Sequence, residues 1–97
     1  MKRIIIVTGA SSGLGWEFSL QLAASREADE IWLIARRKDR LEALSREIAR
    51  KDGPKPRVLE LDLDGKKGVD HFSALLDKEA SSCGEEGFIV DTLVNNA

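Results

Sequence analysis

The chain has 97 residues, of which 42% are hydrophobic and 33% are charged, and its formal net charge is −2. This composition is typical of an ordinary globular protein, and the length allows one modest core and a single domain over residues 1–97. The near balance of intermingled charges excludes a broad electrostatic attraction to nucleic acid or to an anionic membrane surface. Any anion that binds here is therefore expected at a local site.

Cysteine content and targeting signals indicate the compartment. Cys83 is the only cysteine, so neither an intramolecular disulfide nor a cysteine metal cage can form, which fits a reducing environment. Met1-Lys2-Arg3 precedes four apolar residues, but that run is too short for a signal peptide, and no segment approaches membrane-spanning length. We expect a cytoplasmic protein without a membrane or nucleic-acid partner.

The first predicted strand, residues 4–7, is a short β-branched run that breaks at Gly9. Amphipathic spacing begins directly afterwards and predicts a helix over 14–26. Strand-like and helix-like segments continue to alternate along the rest of the chain. It predicts strands over 31–35, 57–61 and 88–94, a helix from 38 or 39 to about 51, and a helix from 66 or 67 to 80.

The helical spacing also predicts which side chains face the sheet. The three expected apolar stripes are Leu14, Phe18 and Leu22; Leu41, Leu44 and Ile48; and Val69, Phe72 and Leu76. Trp16 lies off its stripe, so we expect it to pack only partly. His71, without a carboxylate or cysteine cluster beside it, is expected to face solvent.

Strands that alternate with helices predict a parallel sheet, because parallel neighbours need helical crossovers. We expect a Rossmann-like α/β fold with strand order 3-2-1-4 and helices on both faces, cut short after the fourth strand. In such sheets ligands bind at the carboxyl ends of the strands, here in the crevice between the first and fourth strands.

The glycine-rich stretch after the first strand is the main candidate site. Gly9, Gly13 and Gly15 follow one another between a strand and a helix, where a tight turn and bare backbone amides allow close approach of an anion. The spacing differs from the commonest dinucleotide fingerprint and from the phosphate-binding P-loop. The two interpretations of the loop alone are a pyrophosphate cradle and a flexible turn without a ligand.

Three motifs at strand ends resemble those of the short-chain dehydrogenase/reductase family, and the resemblance covers the whole chain. Thr8-Gly9-Ala10-Ser11-Ser12-Gly13-Leu14-Gly15 is similar to the family's Thr-Gly-x-x-x-Gly-x-Gly loop. Asn95-Asn96-Ala97 is similar to its Asn-Asn-Ala-Gly motif, cut before the glycine. Asp62-Leu63 resembles the family's adenine-facing acid and its neighbour.

The resemblance implies a role for each of these positions. Glycines 9, 13 and 15 would shape the pyrophosphate turn, and the rest of the loop's cofactor contacts would come from Ser11, Ser12 and Leu14. Asp62 would accept a hydrogen bond from the adenine amino group, with the Leu63 backbone beside it. Asn95 and Ala97 would line the crevice and tie the fourth strand to the first. Read without the resemblance, Asp62 is a turn residue and Asn95-Asn96 a strand terminator.

Cofactor preference follows from charge. An acid about twenty residues beyond the glycine loop would bind the ribose hydroxyls of NAD, but Ala35 stands there and Arg36 and Arg37 follow. A guanidinium can bind the 2′-phosphate of NADP through two parallel hydrogen bonds, with a Ser11 or Ser12 hydroxyl assisting. We predict NADP as cofactor, with Arg36 as the first candidate for binding its 2′-phosphate. The alternative is that both arginines only solvate the start of a helix.

The family's hydride transfer uses a Tyr-x-x-x-Lys pair, and this chain contains no tyrosine. We therefore expect the chain to be the amino-terminal, cofactor-binding half of an oxidoreductase that acts on a small carbonyl or alcohol, inactive by itself. The alternative is a non-catalytic nucleotide-binding or assembly module. The fourth strand would offer Ile89, Val90, Leu93 and Val94 at an open edge, which predicts self-association.

Overall fold

The computed structural model describes residues 1–96, so the prediction made for Ala97 lies outside the described part of the chain. The strands are β1 (Lys2–Thr8), β2 (Glu30–Ala35), β3 (Lys55–Glu60) and β4 (Phe88–Asn95). The helices are α1 (Gly13–Ser25), α2 (Lys38–Ala49) and α3 (Lys66–Cys83), and α3 is followed by a short 3₁₀ turn over Gly84–Glu86.

The four strands form one parallel sheet in the order β3-β2-β1-β4. This confirms the predicted α/β class and the predicted reversal of winding between β1 and β4. β1 lies in the middle, with Val7 opposite Leu33 of β2 on one side and opposite Val94 of β4 on the other. Its apolar residues are fully buried because both faces of the sheet are covered.

Two apolar layers hold the helices against the sheet. On one face, Ile5, Val7, Ile31 and Leu33 pack with Leu41, Leu44 and Ile48 of α2, as predicted, and with partly buried residues of α1. On the other face, Ile4, Ile6, Trp32 and Ile34 pack with Phe72, Leu75 and Leu76 of α3. The Trp32 and Phe72 rings meet edge to face, with 6.5 Å between their centroids.

The stripe predicted for α1 is wrong in two of its three members. Leu14 is 65% exposed and Phe18 is 40% exposed, while Gly15 and Ser19 are the buried residues of the helix. The reason is the closeness of α1 to the glycine loop: a Cβ on Gly15 would overlap the Gly9 carbonyl oxygen. Small residues therefore face inward, and Trp16 packs beside them with Leu20 and Ala23.

The stripe predicted for α3 is wrong at Val69, which is 49% exposed. Phe72 and Leu76 pack against the sheet as predicted, and Gly68 and Glu79 also face inward. A Cβ on Gly68 would overlap the Asp62 carbonyl oxygen and lie 2.6 Å from its carbon. The start of α3 is thus pressed against the turn that follows β3, which rotates Val69 outward. His71 is exposed, as predicted.

Glu79 of α3 is a buried charge that sequence reasoning overlooked. Its carboxylate accepts hydrogen bonds from Lys2 at 2.9 Å, from Arg57 at 3.2 Å and from the Cys83 thiol at 3.4 Å. The Lys2 hydrogen bond holds the pKa of Glu79 below its ordinary value and is itself the main reason why the pKa of Lys2 is raised. Burial raises the pKa of the Cys83 thiol. Lys2 also pairs with Glu30, so β1, β2, β3 and α3 share one ionic network.

Several element boundaries differ from the prediction by one to three residues. β1 spans Lys2–Thr8 rather than 4–7, and α2 ends at Ala49 rather than near 51. Residues 81–83, which lie beyond the predicted helix end at 80, extend α3 by almost one turn. β3 begins at Lys55 and includes Pro56, because an edge strand can accept a residue without an amide proton. Over residues 1–96, no helix is both long and apolar enough to cross a membrane.

The outer edge of β4 is open. Ile89, Val90 and Leu93 are 47%, 37% and 60% exposed. Val90 and Leu93 are opposite Ile4 and Ile6 of β1, which places them on the face that α3 covers elsewhere. Val94, also predicted for this edge, instead packs partly against the layer under α1 and α2.

Candidate nucleotide-binding site

A cleft of about 410 Å³ opens at the carboxyl ends of all four strands. This is the edge where doubly wound sheets bind their ligands. Its walls come from the loop after β1, the ends of β2 and β4, and the turn after β3. The lining residues are Thr8, Gly9, Ser11, Ser12, Ala35, Arg36, Leu61, Asp62, Leu63, Asp64, Asn95 and Asn96.

The glycine loop is a closed turn centred on the Gly9 carbonyl oxygen. That oxygen accepts the backbone N–H of Ser12 at 3.2 Å and the Ser12 hydroxyl at 3.0 Å. Gly9 has a φ of +64°, and a Cβ there would overlap the Asn96 carbonyl oxygen. Only glycine fits this position without moving the backbone.

Gly13 differs from the other two glycines, because a Cβ there would have nothing within 4 Å. Space over Gly13 is therefore open, whereas the space at Gly9 and Gly15 is filled by protein. An anion can approach the backbone amides of the loop only where no atom stands in the way. Gly13 is the one glycine of the three that leaves such an approach.

The amino-terminal end of α1 has no side-chain cap. Its first backbone hydrogen bond runs from the Trp16 N–H to the Ser12 carbonyl at 2.7 Å, so the amides of residues 13–15 precede the hydrogen-bonded ladder. Unpaired amides and the positive end of the helix dipole favour a negative charge. The start of α1, which adjoins the cleft at Ser12, thus offers a backbone anion site of the kind a phosphate occupies.

The end of β4 is fastened to the glycine loop by two asparagines. The Thr8 hydroxyl lies 3.1 Å from Asn95 Oδ1 and accepts the Asn96 backbone N–H at 3.1 Å. Asn96 Nδ2 donates to the Gly9 carbonyl at 3.2 Å and to the Ser12 hydroxyl oxygen at 2.8 Å. Sequence reasoning did not select Asn96; the doubled asparagine was the available signal.

The three arginines that follow β2 have different surroundings. Arg36 lines the cleft, and within residues 1–96 its guanidinium has no carboxylate within 4.0 Å. Arg37 is exposed, pairs with Asp39 at 3.4 Å and lies outside the cleft lining. Arg40 is also exposed, but it donates from Nε to the Ser11 carbonyl at 2.8 Å.

Acidic residues also line the cleft. Asp62 and Asp64 both line it, and Asp62 accepts the Asp64 backbone N–H at 3.0 Å. Leu63 packs inward against the layer beneath α3. Arg36 and the α1 amides attract phosphate, whereas the two carboxylates repel it, so the lining of the cleft carries charges of both signs.

Seven of the predicted cofactor residues meet in this cleft. They are Gly9, Ser11, Ser12, Arg36, Asp62, Leu63 and Asn95. Gly13, Leu14, Gly15 and Arg37 lie outside the lining. Gly13 leaves open space and Gly15 permits close packing of α1, whereas Leu14 and Arg37 are exposed.

A second, shallower depression of about 580 Å³ lies at the opposite edge of the sheet, between the end of α1 and the turn at 52–54. It contains neither a glycine loop nor the start of a helix, and parallel sheets of this type bind ligands at the other end. We therefore assign it no role.

The chain is similar to several reductases over nearly its whole length. It is 38% identical over 91 residues to a very-long-chain 3-oxoacyl-CoA reductase of Vanderwaltozyma polyspora, covering 94% of this chain and 24% of the relative. The chain thus spans about a quarter of the length of that relative.

Solved structures agree with the sequence comparison. A metagenomic short-chain oxidoreductase in complex with NADP superposes with a TM-score of 0.76 at 28% identity, over 98% of this chain and 38% of its own. A short-chain dehydrogenase of Sphingobium yanoikuyae in complex with NADPH gives a TM-score of 0.69 at 28% identity, over 80% of this chain and 30% of its own.

The sequence profile that describes short chain dehydrogenases matches residues 3–97. The match includes the glycine loop, the cleft at the strand ends and the paired asparagines. Together with the strand order, it shows that this chain belongs to the short chain dehydrogenase family.

Proposed function

We propose that this chain binds NADP(H) and forms the cofactor-binding part of an NADP-dependent oxidoreductase that reduces a carbonyl or oxidises an alcohol. One observation carries the proposal: Arg36 lines the cleft together with Ser11 and Ser12, and Ser12 directly precedes the uncapped start of α1 with its open space over Gly13. Two structural neighbours with this fold are complexes with NADP or NADPH.

The residues present fit the cofactor as follows. The pyrophosphate would rest on the amides over Gly13, and the 2′-phosphate would pair with Arg36. Asp62 would accept a hydrogen bond from the adenine amino group. When bound, NADPH supplies a hydride. The residues of this chain bind and orient the cofactor, and the family's phenolic acid does not come from them because they include no tyrosine.

The name of the fungal relative supports a ketone as the substrate carbonyl, since that protein is a 3-oxoacyl-CoA reductase. We propose a 3-oxo compound as the substrate class of the complete oxidoreductase. Cys83 is a free thiol, which supports our proposal of a reducing compartment such as the cytoplasm.

The cofactor proposal is tested by calorimetric titration of the chain with NADP and with NAD. We expect tighter binding of NADP, and Arg36→Ala should weaken NADP binding by about tenfold or more while changing NAD binding by less than about twofold. Arg46→Ala, which removes an exposed arginine of α2 outside the cleft, is the matched control. Equal affinity of the unchanged chain for both nucleotides contradicts the assignment.

We also propose that the chain self-associates through the open edge of β4. The strand has unpaired backbone groups along one side, and the exposed Ile89, Val90 and Leu93 add apolar area. Sedimentation velocity should show oligomers whose fraction rises with concentration and falls in Leu93→Lys. A strictly monomeric chain at high concentration contradicts this proposal.

A further inference from the structure

Arg40 joins three parts of the molecule that meet outside the nucleotide cleft. It belongs to the first turn of α2, its Nε donates to the Ser11 carbonyl at 2.8 Å, and its guanidinium carbon lies 5.7 Å from the centre of the Trp16 ring of α1. The side chain is therefore held between the glycine loop and an aromatic ring. The cation–π contact adds to the hydrogen bond in holding the guanidinium at this place.

The glycine loop is thus fastened from two sides. Asn96 holds Gly9 and Ser12 from the β4 side, and Arg40 holds Ser11 from the α2 side. Arg40 itself is absent from the lining of the cleft, whereas Ser11 and Ser12 form part of that lining. Arg40 therefore contacts the loop and not the interior of the cleft.

We propose that Arg40 is a positioning residue that holds the Ser11–Ser12 peptide in the shape that receives the nucleotide pyrophosphate. This inference rests on the proposed function. A loop already fixed in its bound shape loses less conformational entropy when the ligand binds. Arg40 therefore raises affinity for NADP and NAD alike, whereas Arg36 acts on the 2′-phosphate that only NADP carries.

Binding of three nucleotides tests this role. Arg40→Ala should weaken NADP and NAD by the same factor, about five- to tenfold, and leave their ratio unchanged. Binding of 2′-AMP, which has no pyrophosphate, should change by less than about twofold. A merely destabilising substitution would lower all three affinities together, and a direct contact with the 2′-phosphate would lower NADP and 2′-AMP but spare NAD.

Arg40→Gln separates the hydrogen bond from the charge, because glutamine carries its Nε2 donor the same number of bonds from Cα as arginine carries Nε. It should restore NADP affinity to within about threefold of the unchanged chain, while Arg46→Ala serves as the charge-matched control. If Arg40→Gln weakens NADP binding as much as Arg40→Ala does, the inference is overturned. If the unchanged chain binds NADP and Arg40→Ala binds it equally well, only this inference fails. If the unchanged chain binds no NADP, the proposed function fails as well.

Discussion

Replacing the glycines of the loop one at a time should separate folding from binding. A Cβ at Gly13 meets nothing within 4 Å, and the residue does not have a positive φ, so alanine fits there. Gly13→Ala lies at the start of α1 and should leave the chain as stable as before or more stable by up to about 1 kcal/mol. The new methyl group nevertheless occupies the open space over the amides.

The expected loss of binding follows from the contacts that the methyl group blocks. Charge-assisted hydrogen bonds from backbone amides to a phosphate contribute about 1.5–3 kcal/mol, which corresponds to a weakening of NADP by about 10- to 150-fold. Gly13→Ala should therefore bind poorly while folding well.

Gly15→Ala should instead lower the stability of the fold. Its Cβ would overlap the Gly9 carbonyl oxygen and lie 2.8 Å from the carbonyl carbon and 2.9 Å from Asn96 Nδ2. Rigid backbone must move, at a cost of about 2 kcal/mol, which lowers Tm by about 8–16 °C in a domain of this size.

Thermal unfolding followed by circular dichroism measures Tm, and calorimetric titration measures the affinity for NADP. Gly13→Ala with unchanged NADP affinity would refute the view that phosphate approaches over Gly13. Gly15→Ala with an unchanged Tm would refute the close packing of α1 on the loop.

Three further predictions concern residues outside the glycine motif. Gly68→Ala should lower Tm and weaken NADP binding, because its Cβ would overlap the Asp62 carbonyl oxygen and displace that turn; melting curves and titration together decide this. Asn96→Ala removes two hydrogen bonds to the loop and should weaken NADP by about tenfold, measured by the same titration. The lowered pKa of Glu79, caused chiefly by the Lys2 hydrogen bond, stabilises the fold above the ordinary value of 4.5, and that stability is lost as pH falls through the folded pKa; urea unfolding between about pH 3 and 7 should lose this acid dependence in Glu79→Gln.

The order of elements and the strand order could be predicted because the signals were local. Four apolar runs and three helical periodicities are visible in the sequence, and the α2 stripe of Leu41, Leu44 and Ile48 is confirmed. Parallel pairing then followed from connection geometry, which leaves few choices once a helix separates each pair of strands.

The prediction of side-chain orientation was wrong where two backbone segments approach closely. Apolar spacing favoured Leu14 and Val69 as inward residues, yet Gly15 and Gly68 face inward because carbonyl oxygens lie against them. A pattern of hydrophobicity cannot register such contacts, since a glycine contributes no apolar side chain to it. The same limit hid Glu79, whose burial depends on Lys2 and Arg57 from distant strands.

The site was predicted best where a strand end located it. Arg36 and Asp62 come directly after strands and line one cleft. Arg40 and Asn96 were overlooked because their partners, the carbonyls of Ser11 and Gly9, become neighbours only in the folded chain.

Because of the Asn96 amide, ligand binding and the docking of β4 on the glycine loop stabilise each other. Since Asn96 holds both Gly9 and Ser12, local opening of the β4 end releases the very turn that a dinucleotide needs closed. A ligand that binds only the closed turn then has a higher affinity when β4 is docked. By linkage, the bound ligand suppresses the opening of β4 by the same factor. Amide protons of residues 92–95 should accordingly exchange with solvent more slowly in saturating nucleotide than in its absence.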